Sequence, residues 1–182
     1  MQRWKTLRST IVHQNPHYQI REDEIEKPNG ETGKYYVFDQ SDSVMIVPLT
    51  DKNEVYLIGI FRYTTQMFSW ELPGGKMENK NIVENAKKEL QEETGLVSEE
   101  WEDMGACQAM NGSANKLFHV FLARHVTQTG TNAQAEEGIT ELKKIPFSKV
   151  MYMVKHNEIT DSHTIAALTV TGLKLGLIVY SK

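Results

Sequence analysis

At 182 residues, 40% hydrophobic and 24% charged, the chain is long enough for one domain with a small appendage and a buried core, and its composition excludes wholesale disorder, collagen-like repeats and a disulfide scaffold. A single cysteine, Cys107, allows no internal disulfide, and no apolar run follows the charged N-terminal residues, so a cytoplasmic protein without a signal peptide is expected. The net charge of −4 argues against a general nucleic-acid binder, and the longest apolar stretches are strand-length, so no membrane partner is expected either.

The first forty residues read as extended structure. Residues near Lys5–His13 and Tyr18–Glu26 alternate apolar and polar, and the second run leads into Pro28-Asn29-Gly30. Asn-Gly tolerates positive φ, which predicts a turn with Tyr35-Tyr36-Val37-Phe38 as the returning strand. A composition shift at Asp39-Gln40-Ser41-Asp42 sets the expected boundary between an N-terminal extension, 1–40, and a main domain, 41–182. Two strands rich in β-branched residues follow, Val44–Leu49 and Val55–Phe61, joined by the polar turn Asp51-Lys52-Asn53.

After Leu72-Pro73-Gly74-Gly75 come a loop and a helix predicted over about Ile82–Thr94, with Gly95 where a left-handed cap belongs. Strands are predicted near Trp101–Met110 and Leu117–Val126. The small, polar and acidic stretch Thr127–Gly138 reads as a mobile loop. A short strand at Ile139–Ile145, a break at Pro146, and helices near Lys149–Lys155 and Ser162–Leu175 complete a mixed α/β chain with helices packed on a sheet.

The predicted helix over 82–94 carries the most chemistry. At about 100° per residue, with Glu89 as zero, Ile82, Ala86, Leu90 and Val83 form an apolar stripe between about 20° and 120°. Glu84, Lys88 and Gln91 fall opposite, whereas Glu92, Glu89 and Glu93 lie at about 300°, 0° and 40°, bordering the stripe. A solvated charged face explains Glu84, Lys87 and Lys88 well. It explains the other three poorly, because two half-buried carboxylates about 6 Å apart repel by about 3 kcal/mol at an effective dielectric of about 20. A divalent cation with oxygen ligands would relieve that repulsion. On spacing alone, a metal site and a charged amphipathic helix both stand.

Gly74 to Leu96 resembles the Nudix box, Gly-x5-Glu-x7-Arg-Glu-U-x-Glu-Glu-x-Gly-U, where U is apolar. Glu89-Leu90-Gln91-Glu92-Glu93-Thr94-Gly95-Leu96 matches every fixed position of its second half, and Glu71-Leu72-Pro73-Gly74-Gly75-Lys76 is similar to the usual lead-in. Two positions depart from the pattern. Lys80 stands for the box's first Glu (Asn81 if a one-residue gap is placed in a loop that is one residue shorter than usual), and Lys88 stands for its Arg. The resemblance implies a Nudix fold, a mixed sheet sandwiched between helices, here with an N-terminal antiparallel strand extension. It implies Mg²⁺, with Mn²⁺ as a substitute, held by Glu89, Glu92, Glu93 and the Gly74 carbonyl. The implied chemistry is water attack on a pyrophosphate, with Glu92 and Glu93 in the catalytic set.

Outside the box the chain is similar to the branch of ADP-ribose pyrophosphatases and other nucleoside-diphosphate-sugar hydrolases. The segments that carry this are Phe61-Arg62-Tyr63, Trp70-Glu71-Leu72-Pro73, His119–Ala123, Glu158–Asp161 and Thr164–Leu168. Arg62 is then the expected phosphate partner, since a planar guanidinium bonds two oxygens, and Lys76 a second positive contact. A surface arginine and a loop lysine are the bland alternatives. Glu136 and Glu137 are the candidates for the general base that this branch carries on a late loop, and the sequence does not choose between them. An acidic residue is common in the branch where this chain has Lys116. Tyr18, Tyr35, Tyr36, Phe38 and Trp70 could stack on a base, although strand packing accounts for most of them. His119 reads as a core residue, Cys107 as structural, and no nucleophile elbow is present.

The resemblance thus implies a nucleoside diphosphate sugar, ADP-ribose or one like GDP-mannose, cut to a nucleoside monophosphate and a sugar phosphate, and a homodimer built through the N-terminal strands. The rival expectations are a Nudix-fold protein that binds a nucleotide sugar in a regulatory role without cutting it, and a housecleaning pyrophosphatase of nucleoside triphosphates.

Overall fold

The computed structural model describes residues 3–130 and 132–179, which cluster into two units. The first contains the chain up to Asp42 and the segment Gln108–Leu117. Its alternating runs form an antiparallel sheet of β1 (Lys5–Gln14), β2 (Gln19–Glu26) and β3 (Thr32–Asp39), in that order. Gly30 takes the left-handed conformation, φ +85°, at the predicted Asn-Gly turn. Cross-strand ion pairs line the sheet, Lys5 with Glu26 at 2.6 Å and Lys34 with Glu22 at 2.8 Å. Segment 108–117 joins this unit through its backbone: the Phe38 N–H donates to the Ser113 carbonyl at 2.8 Å. A linear boundary at residue 40 does not include that segment. Every residue of β1 is exposed, Leu7, Ile11 and Val12 among them.

The second unit holds β4 (Ser43–Leu49), β5 (Glu54–Arg62), β6 (Met67–Glu71), β7 (Gly74–Lys76), α1 (Ile82–Thr94), β8 (Leu96–Val97), β9 (Glu100–Gln108), β10 (Leu117–Arg124), β11 (Thr127–Gln128), β12 (Ile139–Pro146), α2 (Phe147–Lys155) and α3 (Ser162–Lys174). Its main sheet runs β12-β5-β4-β10-β9, with β6 beside β5 and β7 beside β4. Strand β4 pairs in parallel with β10 and in antiparallel fashion with β5 and β7, so the sheet is mixed. All seven residues of β4 are buried, as a central strand covered on both faces requires. Both α1 and α3 pack on it. Val44, Ile46, Leu90, Leu96 and Phe121 form the core under α1, a cluster that draws on the stripe placed by helical periodicity. No helix among the described residues is long and apolar enough to cross a membrane.

Helix α1 keeps the predicted ends. Asn81 caps its start by accepting from the Glu84 N–H at 3.3 Å, and Gly95 ends it with φ +70°. Helix α2 begins at Phe147, directly after Pro146 and two residues before the expected start, because proline can precede a first turn without an N–H to lose. The short strands β6, β7, β8 and β11 were not expected. The segment after β11 also differs from a free loop, since its backbone is bonded to α1.

Candidate active site

Two segments hold the glutamate helix at its ends. Before it, the chain passes through Gly74-Gly75, then turns between Met77 and Asn81. Asn85, only 2% exposed, organises that turn from inside the helix. Its Oδ1 accepts from the Glu78 and Asn79 N–H groups at 2.9 and 3.4 Å, and its Nδ2 donates to the Asn79 and Asn81 carbonyls at 3.0 and 2.7 Å. Lys88 closes the turn's outer side with an ion pair to Glu78 at 2.6 Å and lies 3.8 Å from Glu92. Asn85 did not figure among the sequence candidates. It shares the i, i+4, i+7 row of Glu89 and Glu92, so its position on the carboxylate side of the helix was readable.

The carboxylates grade from wet to dry as the wheel indicates. Glu92 keeps 41% of its side chain exposed, Glu89 is half-buried, and Glu93 is 6% exposed. Glu93 accepts from the Gly74 N–H at 2.7 Å. Burial pushes the Glu93 carboxyl up to about 8 against the pull of that bond, with the charge of Glu89 adding to the rise. Burial, then the neighbouring Glu92 charge, pushes Glu89 up to about 7. Gly75 lies directly beneath it, and a Cβ there would meet the Glu89 carboxylate and turn it away from its present place.

This donor set fits a hard divalent cation in kind: only oxygens, with a buried and a half-buried carboxylate whose repulsion a cation would offset. Among the described residues, however, no three acidic, imidazole or thiol side chains converge into a finished cage. Glu93 is turned to the Gly74 N–H and Glu92 lies on the Lys88 side, so the three carboxylates face different partners.

The other expected residues divide. Arg62, at the end of β5, is locked to Glu71 through Nε at 3.0 Å and Nη2 at 2.6 Å. The Glu71 hydrogen bond holds its guanidinium pKa up, and it also feels the charges of Glu93 and Asp161. Beside it lies a cavity of about 460 Å³ lined by Arg62, Thr65, Phe68, Ser69, Glu71 and Asp161. Lys76 is exposed at the end of β7. Trp70 packs on Phe68 at 5.1 Å between ring centres, and the Lys143 ammonium sits 4.4 Å over its ring. Tyr18 and Phe38 pack on each other in the first unit, and Tyr36 donates to Glu22 at 2.6 Å. His119 is half-buried in β10 and Cys107 half-buried in β9. Of the two loop glutamates, the charge of Glu137 acts on both Glu89 and Glu93.

Comparison with known proteins follows the same lines. A family model described as the nucleoside diphosphate sugar hydrolase N-terminal domain matches residues 4–38, and one described as the NUDIX domain matches residues 39–168. The chain is 24% identical over 166 residues to a methanol dehydrogenase activator of Bacillus methanolicus, covering 90% of both chains. It is 25% identical over 175 residues to an ADP-ribose pyrophosphatase of Bacillus subtilis (strain 168), covering 95% of both. Its fold is similar to a crystal structure of an ADP compounds hydrolase, with a TM-score of 0.85, 17% identity, and 97% and 96% of the two chains covered.

Proposed function

The chain belongs to the NUDIX family as a pyrophosphohydrolase of its nucleoside diphosphate sugar branch, and from that premise we propose that it hydrolyses the diphosphate of ADP-ribose, with Mg²⁺ or Mn²⁺ as cofactor. The observation that carries the reading is the pair Glu89 and Glu93, one half-buried and one buried carboxylate packed against Gly74-Gly75 and both pushed towards protonation. A protein keeps such an arrangement at a cost unless a cation offsets it.

In this reading Glu89, Glu92, Glu93 and the Gly74 carbonyl hold the cation. Bound there, it would lower the pKa of the attacking water and neutralise the diphosphate oxygens. Glu137 takes the water's proton as its oxygen attacks phosphorus and the bridging P–O bond breaks, releasing a nucleoside monophosphate and a sugar phosphate. Arg62 orients the diphosphate with the guanidinium edge that Glu71 does not use, and the adjoining cavity of about 460 Å³ offers hydroxyl-bearing walls to a sugar. Lys76 supplies further positive charge to the substrate, whereas Trp70, packed on Phe68 under Lys143 and outside the cavity lining, is given no substrate contact. The first forty residues act as a dimerising extension, and the exposed apolar residues of β1 support that assignment. Light scattering of the purified chain tests it, a monomer being the contrary result.

The deciding experiment is a panel of ADP-ribose, GDP-mannose, other nucleoside diphosphate sugars, dinucleotides and nucleoside triphosphates, with Mg²⁺ or Mn²⁺ and chromatographic detection of products. Nucleoside monophosphate should appear from ADP-ribose, and Glu93→Gln should lower turnover at least a hundredfold. Cleavage of triphosphates alone would move the chain to the housecleaning class. One observation favours a regulatory reading, the similarity to a methanol dehydrogenase activator together with Lys88 in place of the box arginine. Thermal stabilisation by ADP-ribose without any product would select that reading.

A further inference from the structure

The last turn of any α-helix leaves its carbonyls without intrahelical partners. In α1 each of these is taken by the segment that follows β10. The Glu92 carbonyl accepts from the Ala133 N–H at 2.7 Å, and the Glu93 carbonyl from the Gln134 Nε2 amide at 3.0 Å. The Thr94 carbonyl accepts from Gln128 Nε2 at 3.3 Å, and the Gly95 carbonyl from both the N–H and the hydroxyl of Thr129, each at 2.9 Å. The segment read from its composition as a mobile loop is therefore the C-terminal cap of the glutamate helix.

The cap continues directly into Glu137. The Ala133 carbonyl accepts from the Glu136 and Glu137 N–H groups at 3.0 and 3.1 Å, and the Gln134 carbonyl from the Ile139 N–H at 2.9 Å. Two hydrogen bonds thus lead from the backbone of Glu92 to that of Glu137. Most of this path is main chain and indifferent to side-chain identity. Gln134 is different, because its side chain bonds the backbone of Glu93 while its own carbonyl helps to close the turn that carries Glu137.

We propose that Gln134 is a positioning residue, which sets the place of the Glu137 carboxylate relative to Glu89 and Glu93 by tying the turn at 133–137 to the carbonyl of Glu93. Side chains that act on a shared reacting centre must be held to within about an ångström, so slack of that order lowers turnover without removing binding groups. The proposal rests on the assignment of Glu137 as the base, and its test separates the two.

With the best substrate of the panel and saturating Mg²⁺, Gln134→Ala should lower kcat on the order of tenfold and leave KM and the Mg²⁺ concentration at half-saturation close to wild type. In a Glu137→Gln background the same substitution should have no further effect, because the group it positions is gone. Losses that multiply in the double variant, or an unchanged kcat in Gln134→Ala, would overturn the proposal. Amide hydrogen exchange gives a second reading that needs no turnover. In Gln134→Ala the amides of Glu136 and Glu137 should exchange at least tenfold faster while those of α1 keep their protection. If Glu137→Gln retains full turnover, the base assignment fails, and exchange then decides whether Gln134 positions the turn: unchanged rates at 136 and 137 overturn it.

Discussion

The two ends of α1 are held by opposite means. At its start the helix reaches out, and the Asn85 amide organises the preceding turn with four backbone contacts. At its end the helix is reached, and a distant segment supplies five donors to its carbonyls, two of them main-chain N–H groups and three spread over the side chains of Gln128, Thr129 and Gln134. A junction built on one buried side chain can be destroyed by one substitution. A junction spread over four residues, with two of its donors backbone N–H groups that every residue except proline brings, loses only a part of its bonds to any one substitution.

The largest expected effect comes from the charge that the front junction encloses. Glu93 has a folded pKa of about 8 against an ordinary 4.5, so the folded protein holds a proton that the unfolded chain releases. The share of stability that this group supplies to the metal-free protein should therefore be full below about 4.5 and be lost as pH rises to about 8, a loss on the order of 5 kcal/mol. Urea unfolding between pH 5 and 9 would measure it. Glu93→Gln should remove this group's share of the fall and leave the smaller one that Glu89, pushed up to about 7, supplies, and added Mg²⁺ should raise the midpoint more at pH 8.5 than at pH 5. A flat wild-type curve would mean that Glu93 is not enclosed as described.

Next in size is Asn85→Ala. It removes the acceptor of two N–H groups in the turn and leaves buried polar atoms bare, so it should destabilise by about 3 kcal/mol. Turnover should fall with it, because the turn leads into the Gly74-Gly75 pair under Glu89 and Glu93. At the other end, Thr129→Val removes a hydroxyl but keeps the N–H bond to Gly95, and should cost about 1 kcal/mol or less. Equal losses at Asn85 and Thr129 would erase the distinction between the two junctions. Smallest of all should be Lys88→Gln, which breaks an exposed pair with Glu78 and should leave the unfolding midpoint unchanged.

The same contrast explains what could be read from the sequence. The ends of α1, its buried stripe and the ordering of its three glutamates depend on local periodicity and on Gly95, all within one segment. Strand β7 was not legible, because Gly74-Gly75-Lys76 has no strand propensity and is extended only by pairing with Ser43–Met45. The capping role of Gln128, Thr129, Ala133 and Gln134 was not legible for a related reason. Small polar residues announce a loop, but nothing local tells that their N–H groups meet the carbonyls of Glu92 to Gly95. Arg62 was expected to contact the diphosphate, whereas its pairing with Glu71 was not legible, because the register of β5 against β6 sets the two four positions apart on one face and their side chains span the gap.

The insertion of 108–117 into the first unit has a consequence for how the chain is made. The three strands of that unit are synthesised before segment 108–117, so Phe38 must wait for the carbonyl of Ser113, and the Tyr35 hydroxyl for that of Gly112. Translation at about 5–20 residues per second places those partners several seconds later. The early sheet therefore spends that interval with open bonding positions, and a fragment ending at Asp42 is an incomplete folding unit, not a portable module.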